Sequence, residues 1–236
     1  MSVAGILLAA GAGRRYGMPK ALVRHGDSLL VEHAVRTLRE GGCVPIVVVL
    51  GAAADEVRQR ATLGDATVVD NADWATGMGS SLRAGLSTVA ALSAVPVTEV
   101  AGPDAVADRD VADPDVADPD AVAGREAMAG RDAPGREVVA TVVLLVDTPG
   151  VTPAAVTRLA EDASPDRLAV ATYQGERGHP VLLGRRHWDG VMESAVADMG
   201  ARRYLARHQV IEVPCDDIAD GTDLDRPPEE QPPSRR

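Results

Sequence analysis

Three runs in this chain carry almost no polar side chain: Val3–Ala9, Pro45–Leu50 and Val138–Val146. A strand with one wet face alternates polar and apolar residues, and these runs do not. They predict strands buried on both faces, as in a parallel sheet with helices above and below it. Weaker strand signals stand at Ala66–Val69, Leu168–Tyr173 and Val210–Val213, and a further strand is expected to follow His179-Pro180. Much of the intervening chain has helical spacing. Leu29–Glu40 places Leu30, Ala34, Val35 and Leu38 on one side and stops at Gly41-Gly42. Ala53–Ala61, Ser80–Leu92, His187–Val196 and Ala201–His208 read as further helices. Thr152-Pro153 opens another, with an N-cap followed by proline at the first helical position. Strands alternating with helices predict an α/β fold with an open, mostly parallel sheet, whose ligands bind beyond the carboxyl ends of the strands.

Aromatic residues make up 2% of the chain and Phe is absent, so the core has to be aliphatic. The alternation breaks over residues 97–137, where Val106-Ala-Asp-Arg-Asp110 is followed by two copies of Val-Ala-Asp-Pro-Asp. Ala and Val interleaved with Asp and Pro hold neither period, and the like charges repel. A pentapeptide solenoid or calcium repeat would need glycine turns that are missing, so the segment is expected to be a disordered insertion. One domain is thus predicted from residues 1–96 and 138–226, with a frayed tail at 227–236.

A net charge of −11 argues against a nucleic-acid partner held through its phosphates. No apolar run approaches the ~18 residues of a membrane span, and the amino terminus enters a strand without a charged leader, so the protein reads as cytoplasmic with no membrane partner. Cys43 and Cys215 lack metal-site spacing and read as free thiols.

The first run leads into Gly11-Ala-Gly-Arg-Arg-Tyr-Gly-Met-Pro-Lys20. Gly11 and Gly13 let backbone amides approach a bulky anion, while Arg14, Arg15 and Lys20 bring positive charge to the same loop. That equipment suits a triphosphate and the charge that grows on a departing diphosphate. A dinucleotide fingerprint fails on spacing, because Gly11, Gly13 and Gly17 are one residue too far apart. A P-loop would need Gly-Lys-Ser/Thr, which is absent. A glycine turn with solvated basic residues is the remaining alternative. Asp147 stands at the end of an apolar strand, where a carboxylate is costly unless paired or bound to a cation. The nearby helix cap is already supplied by Thr152, so Asp147 points to a hard metal ion such as Mg²⁺.

Leu8-Ala-Ala-Gly-Ala-Gly-Arg-Arg-Tyr-Gly-Met-Pro-Lys20 resembles the signature loop of the MobA-like nucleotidyltransferases, with Tyr16 where Met is usual. The resemblance implies a Rossmann-like, GT-A-like nucleotidyltransferase fold. It also implies that Leu8, Ala9, Ala10, Gly11, Ala12 and Gly13 wrap the nucleotide, with Arg15 and Lys20 in the motif's basic positions. Arg14 falls at a variable position.

Asp147-Thr-Pro is similar to the family's Asp-Gln-Pro, which implies a metal ligand at Asp147. Asp223-Leu-Asp225-Arg-Pro-Pro-Glu is similar to its Asp-Ile-Asp-Thr-Pro-Glu segment. That match implies a second ligand at Asp225, with Asp223 as alternate; an acidic surface loop is the other reading. Trp74-Ala-Thr-Gly-Met-Gly-Ser-Ser-Leu-Arg-Ala-Gly-Leu86 and Gly178-His179-Pro-Val look like motifs of the MocA branch. They imply nucleotide contacts from Gly79, Ser80 and Ser81, with Arg83 a further candidate, and an acceptor contact from His179. A plain capped helix is the alternative for Gly79–Ser81. Asp198-Met-Gly-Ala-Arg202 resembles a further stretch of that branch.

By this resemblance Mg²⁺ is the cofactor, CTP and molybdopterin are the substrates, and diphosphate is released, with Arg15, Lys20 and Asp147 catalytic. Contact with a molybdoenzyme or its maturation factors is implied as well. Two alternatives remain: a sibling transferase using GTP or a sugar phosphate, and a non-catalytic protein that binds nucleotide or molybdenum cofactor.

Overall fold

The described elements are β1 (Ser2–Leu8), β2 (Arg24–His25), β3 (Ser28–Leu29), α1 (Leu30–Glu40), β4 (Ile46–Leu50), α2 (Ala54–Arg60), β5 (Thr67–Asp70) and α3 (Met78–Ala94), followed by β6 (Val138–Leu145), α4 (Pro153–Ala160), β7 (Leu168–Tyr173), β8 (Glu176–Gly184), α5 (Trp188–Ser194), α6 (Arg202–Leu205) and β9 (Ile211–Pro214). They come from a computed structural model that describes residues 1–94 and 137–225. The expected insertion, apart from Glu137, and the expected tail lie outside the described residues. Among the described residues seven strands form one sheet in the order β5-β4-β1-β6-β8-β7-β9, and β2 and β3 make a separate small ribbon.

All neighbours in the sheet run parallel except β8, which is antiparallel to both β6 and β7. The apolar runs behave as strands covered twice. In β1, Leu7 joins a core layer that includes Leu30, Val35 and Leu38 of α1 and Val156 and Leu159 of α4. Its neighbours Ile6 and Leu8 face the opposite layer, with Leu82, Leu86 and Val89 of α3 and Val191 of α5. Period-2 alternation therefore sends successive aliphatic side chains into two different cores. Helix α3 comes close to the sheet at Gly85, where a Cβ would sit 2.7 Å from a methyl of Ile6. As expected, the hydroxyl of Thr152 caps α4, accepting from the Ala155 amide at 3.3 Å.

Three differences from the sequence reading bear on the site. Helix α3 begins at Met78, so Ser80 and Ser81 lie inside its first turn rather than at its entrance. The expected helices His187–Val196 and Ala201–His208 shrink to Trp188–Ser194, preceded by a 3₁₀ turn, and to Arg202–Leu205. The strand expected after His179 begins earlier, at Glu176, so His179 lies within β8 rather than ahead of it. Gly178 and Pro180 mask its first half in sequence, because proline cannot donate to a ladder. The pairing shows how the proline is accommodated. Val170 pairs with Val181 and Thr172 with Arg177, so Ala171 alone stands opposite Gly178, His179 and Pro180. The surplus residues bulge from the ladder, and the bulge carries His179 to the carboxyl edge of the parallel strands.

Candidate active site

A cleft of about 870 Å³ opens at that edge. One wall is the loop after β1, where Gly13 has φ +61° and a Cβ would overlap the Met18 carbonyl, so only glycine fits. Gly11 lies on the same wall but has no protein atom within 4 Å of its Cβ position. The loop ends in a 3₁₀ turn, Lys20–Leu22, whose buried Ala21 and Leu22 anchor Lys20 beneath the cleft.

Lys20 is the hub. Its ammonium donates to Asp147 Oδ2 at 2.7 Å and stands 3.6 Å from Asp225 Oδ1. Arg15 reaches the other oxygen of Asp225 at 3.4 Å. The two carboxylates arrive from distant parts of the chain. Asp147 follows β6, where the Thr148 hydroxyl donates to the Leu145 carbonyl at 3.0 Å and closes the turn. The segment bearing Asp223 and Asp225 docks along this turn: the Leu224 amide donates to the Asp147 carbonyl at 2.7 Å, and the Asp220 amide to that of Gly150 at 3.0 Å. Burial raises the pKa of Asp223, and the neighbouring Asp147 charge raises it further.

His179 enters from the bulge of β8, with its carbonyl held by the Tyr173 hydroxyl at 2.8 Å. Burial depresses its pKa to about 4, more than the opposing pull of Asp147, so the imidazole is neutral at physiological pH.

Of the residues expected to hold nucleotide, Leu8, Ala10, Gly11, Ala12, Gly13, Arg15, Lys20 and Ser81 line the cleft. Ala9 packs into the α1 side of the core instead. Gly79 and Ser80 turn inward. A Cβ on Gly79 would sit 2.7 Å from the Ala195 carbonyl, and the Ser80 hydroxyl donates to Gly77 O at 2.8 Å while accepting from Asn71 Nδ2 at 2.8 Å. Ser81 accepts from the same amide at 3.0 Å, and Arg83 donates to the Ala195 carbonyl. The first turn of α3 is thus mostly occupied by the protein's own groups.

The cleft also contains Arg14, Trp74, Arg177, Asp198 and Arg202, to which the sequence reading gave no role or a minor one. The signals are present in the sequence, since Arg177 adjoins Gly178-His179 and the Asp198–Arg202 stretch resembles a motif of the MocA branch.

Residues 5–212 match the MobA-like NTP transferase domain. The chain belongs to that family. The match takes in the glycine loop, Asp147 and His179 but stops short of Asp223 and Asp225. Within the family's range of relatives, the chain is 32% identical over 233 residues to the nicotine blue oxidoreductase of Paenarthrobacter nicotinovorans, covering 94% of this chain and 92% of that protein. Among solved structures it resembles the Rv0371c homologue of Mycobacterium sp. strain JC1, with 27% identity, TM-score 0.64, and coverage of 95% and 90% of the two chains. Rv0371c of Mycobacterium tuberculosis, solved in complex with manganese, shares the fold at 23% identity and TM-score 0.60, covering 91% of this chain and 88% of that one. Among the described residues, no helix of this family member is long and apolar enough to cross a membrane.

Proposed function

We propose that the chain transfers a nucleoside monophosphate from an NTP, with CTP the favoured donor, to a phosphorylated acceptor of the molybdopterin class. An acceptor phosphate oxygen attacks the α-phosphorus, the bond from that phosphorus to the bridging oxygen of the β-phosphate breaks, and diphosphate leaves with its electron pair. The observation that carries this reading is the placement of Lys20 between Asp147 and Asp225 on the floor of a glycine-walled cleft.

That placement also bears on metal binding. Two carboxylates converge within 3.6 Å of one point already held by a cation, the Lys20 ammonium, and both offer the hard oxygens that Mg²⁺ prefers. Asp147 and Asp225, with Asp223 as alternate, would hold the ion. Among the described residues no three His, Cys, Asp or Glu side chains form a metal-binding group, so phosphate and water would complete its sphere. The manganese of the Rv0371c structure supports a divalent ion in this fold. When bound, the ion polarises the α-phosphate and neutralises its charge.

The chain's own residues then divide the remaining work. The Gly11–Gly13 backbone cradles phosphate oxygens, and Lys20 and Arg15 stabilise charge on the departing diphosphate. His179, neutral, faces the acceptor. Catalysis is positioning and electrostatics, with no covalent intermediate. A molybdoenzyme or its maturation factor would receive the product.

The relative named for redox chemistry supports a second reading, in which the cleft holds an electron carrier. The thiols of this chain contribute nothing to it, since Cys43 and Cys215 are buried outside the cleft. One panel separates the two readings: diphosphate release with each of the four NTPs, Mg²⁺ and molybdopterin, beside oxidation of NADH and NADPH with a dye acceptor. Release with CTP, abolished in Asp147→Ala, upholds transfer. Nicotinamide oxidation without any diphosphate release overturns it.

A further inference from the structure

Five cations line the cleft, and they are not equivalent. Lys20 is paired with Asp147, Arg15 with Asp225, and Arg177 donates its Nε to Glu212 at 2.8 Å. Arg14, in the glycine loop, has no hydrogen-bond or ion-pair partner among the described residues and stands on the wall assigned to the nucleotide. Arg202 stands on the other wall, at the start of α6, and its guanidinium has no hydrogen-bond or ion-pair partner among the described residues. It is exposed, yet it is held in place from behind. Two residues on, Tyr204 donates its hydroxyl to His187 Nδ1 at 2.9 Å while His187 Nε2 donates to the Asp166 carbonyl at 3.0 Å. The Tyr204 ring stacks on His208 at 3.9 Å between centroids, and Leu205 is buried. Arg202 is therefore a free charge on a fixed mount.

The surrounding charges indicate what it is for. Asp147, Asp198, Asp223 and Asp225 all line this cleft. An anion entering beside His179 meets these carboxylates, while Lys20 and Arg15 are already paired and Arg14 belongs to the glycine-loop wall. Gly200 and Ala201, just before Arg202, line a small hollow together with His179, which places Arg202 at that end of the cleft. A guanidinium with free N–H groups, lining the same cleft as the His179 imidazole, matches a phosphomonoester, which it can grip with two parallel bonds.

We propose that Arg202 binds the terminal phosphate of the acceptor, making it the group that selects a phosphomonoester over an uncharged alcohol. The proposal deepens the nucleotidyl-transfer reading and rests on it. It assigns the nucleotide to the glycine-loop wall and the acceptor phosphate to the Arg202–His179 wall.

The test is calorimetric and needs no turnover. The full chain with Mg²⁺ is first saturated with a non-hydrolysable α,β-methylene CTP analogue, then titrated with glycerol 3-phosphate and, separately, with glycerol. The wild type is expected to bind the phosphomonoester and not glycerol. Arg202→Gln should weaken phosphomonoester binding by roughly 10- to 100-fold, the loss typical of a charge-assisted pair. Arg202→Lys should recover part of it, and analogue affinity should be unchanged in both variants. The side chain has no protein partner to lose, so both variants should fold. Equal phosphomonoester binding by Arg202→Gln, a parallel loss of analogue affinity, or no phosphomonoester binding by the wild type would each overturn the proposal. Failure of the wild type to bind the analogue counts against the transfer reading instead. Arg202 is then judged by titrating glycerol 3-phosphate into the ligand-free protein, where an unchanged affinity in Arg202→Gln would overturn it.

Discussion

Lys20 Nζ lies 2.7 Å from Asp147 Oδ2 and 3.6 Å from Asp225 Oδ1, so the cation expected to meet phosphate is held by the carboxylates expected to meet metal. Each charge is compensated within the protein until ligands arrive. Metal and triphosphate together would exchange these partners: the carboxylates turn to the ion, and the ammonium is released to the phosphates. Binding of either ligand therefore favours the other, which is a positive coupling.

Lys20→Ala tests that exchange directly. Without the ammonium, Asp147 loses its cation and Asp225 keeps only Arg15, so Mn²⁺ should bind the nucleotide-free variant several-fold more tightly than it binds wild type. Nucleotide affinity should fall by about 10- to 100-fold, in line with the loss of a charged phosphate contact. Isothermal titration with Mn²⁺ and then with CTP measures both. Weaker metal binding in the variant would refute the exchange.

The two loop glycines should separate folding from binding. Gly13→Ala forces a side chain into a left-handed conformation and against the Met18 carbonyl, so it should lose roughly 1–3 kcal/mol of stability. Gly11→Ala meets no protein atom within 4 Å and should unfold like wild type. Its methyl nevertheless projects from the cleft wall, so the KM for NTP should rise at least several-fold. Denaturant melts of both variants beside NTP titrations check the contrast.

His179 gives the fold a pH signature. Its folded pKa near 4 lies below the ordinary 6.5, so between those values the unfolded chain binds a proton that the folded chain does not. Its contribution is complete above about pH 6.5 and is lost as pH falls towards 4, amounting to roughly 2–3 kcal/mol. Urea melts at pH 7.5 and 5.0 should show a larger loss for wild type than for His179→Gln. Identical losses would remove His179 as the cause.

The mount of Arg202 makes a further prediction. A methyl at Gly190 would come within 2.5 Å of Tyr204 Cε2, pushing on the ring that anchors α6. Gly190→Ala should cost about 1–3 kcal/mol by overpacking. It should also raise the KM for the acceptor more than that for NTP, as steady-state kinetics with each substrate varied in turn would show.

Most of the sheet was legible because its strands are aliphatic on both faces; β1, β4 and β6 differ from the expected runs only at their ends. The glycine loop and Asp147 were legible for a related reason, since polar groups closing an apolar strand need a ligand or a partner. The first half of β8 was not, because Gly178 and Pro180 look like punctuation until the bulge opposite Ala171 is seen. Gly79 and Ser80 lie near the cleft in sequence, but the Ala195 carbonyl and Asn71 take up their contacts, a tertiary fact that spacing does not encode. Arg202 was visible as a residue type and invisible as an unpaired charge on the wall opposite the glycine loop. Its significance comes from the pairing of Lys20, Arg15 and Arg177, which requires coordinates.

Following the label from α-³²P CTP and from γ-³²P CTP, in parallel reactions with Mg²⁺ and molybdopterin, tests nucleotidyl transfer most directly. The account predicts that the α-label enters the acceptor product while the γ-label leaves in diphosphate, with both lost in Asp147→Ala. An α-label that remains with free nucleotide, in folded protein that binds CTP, would contradict it.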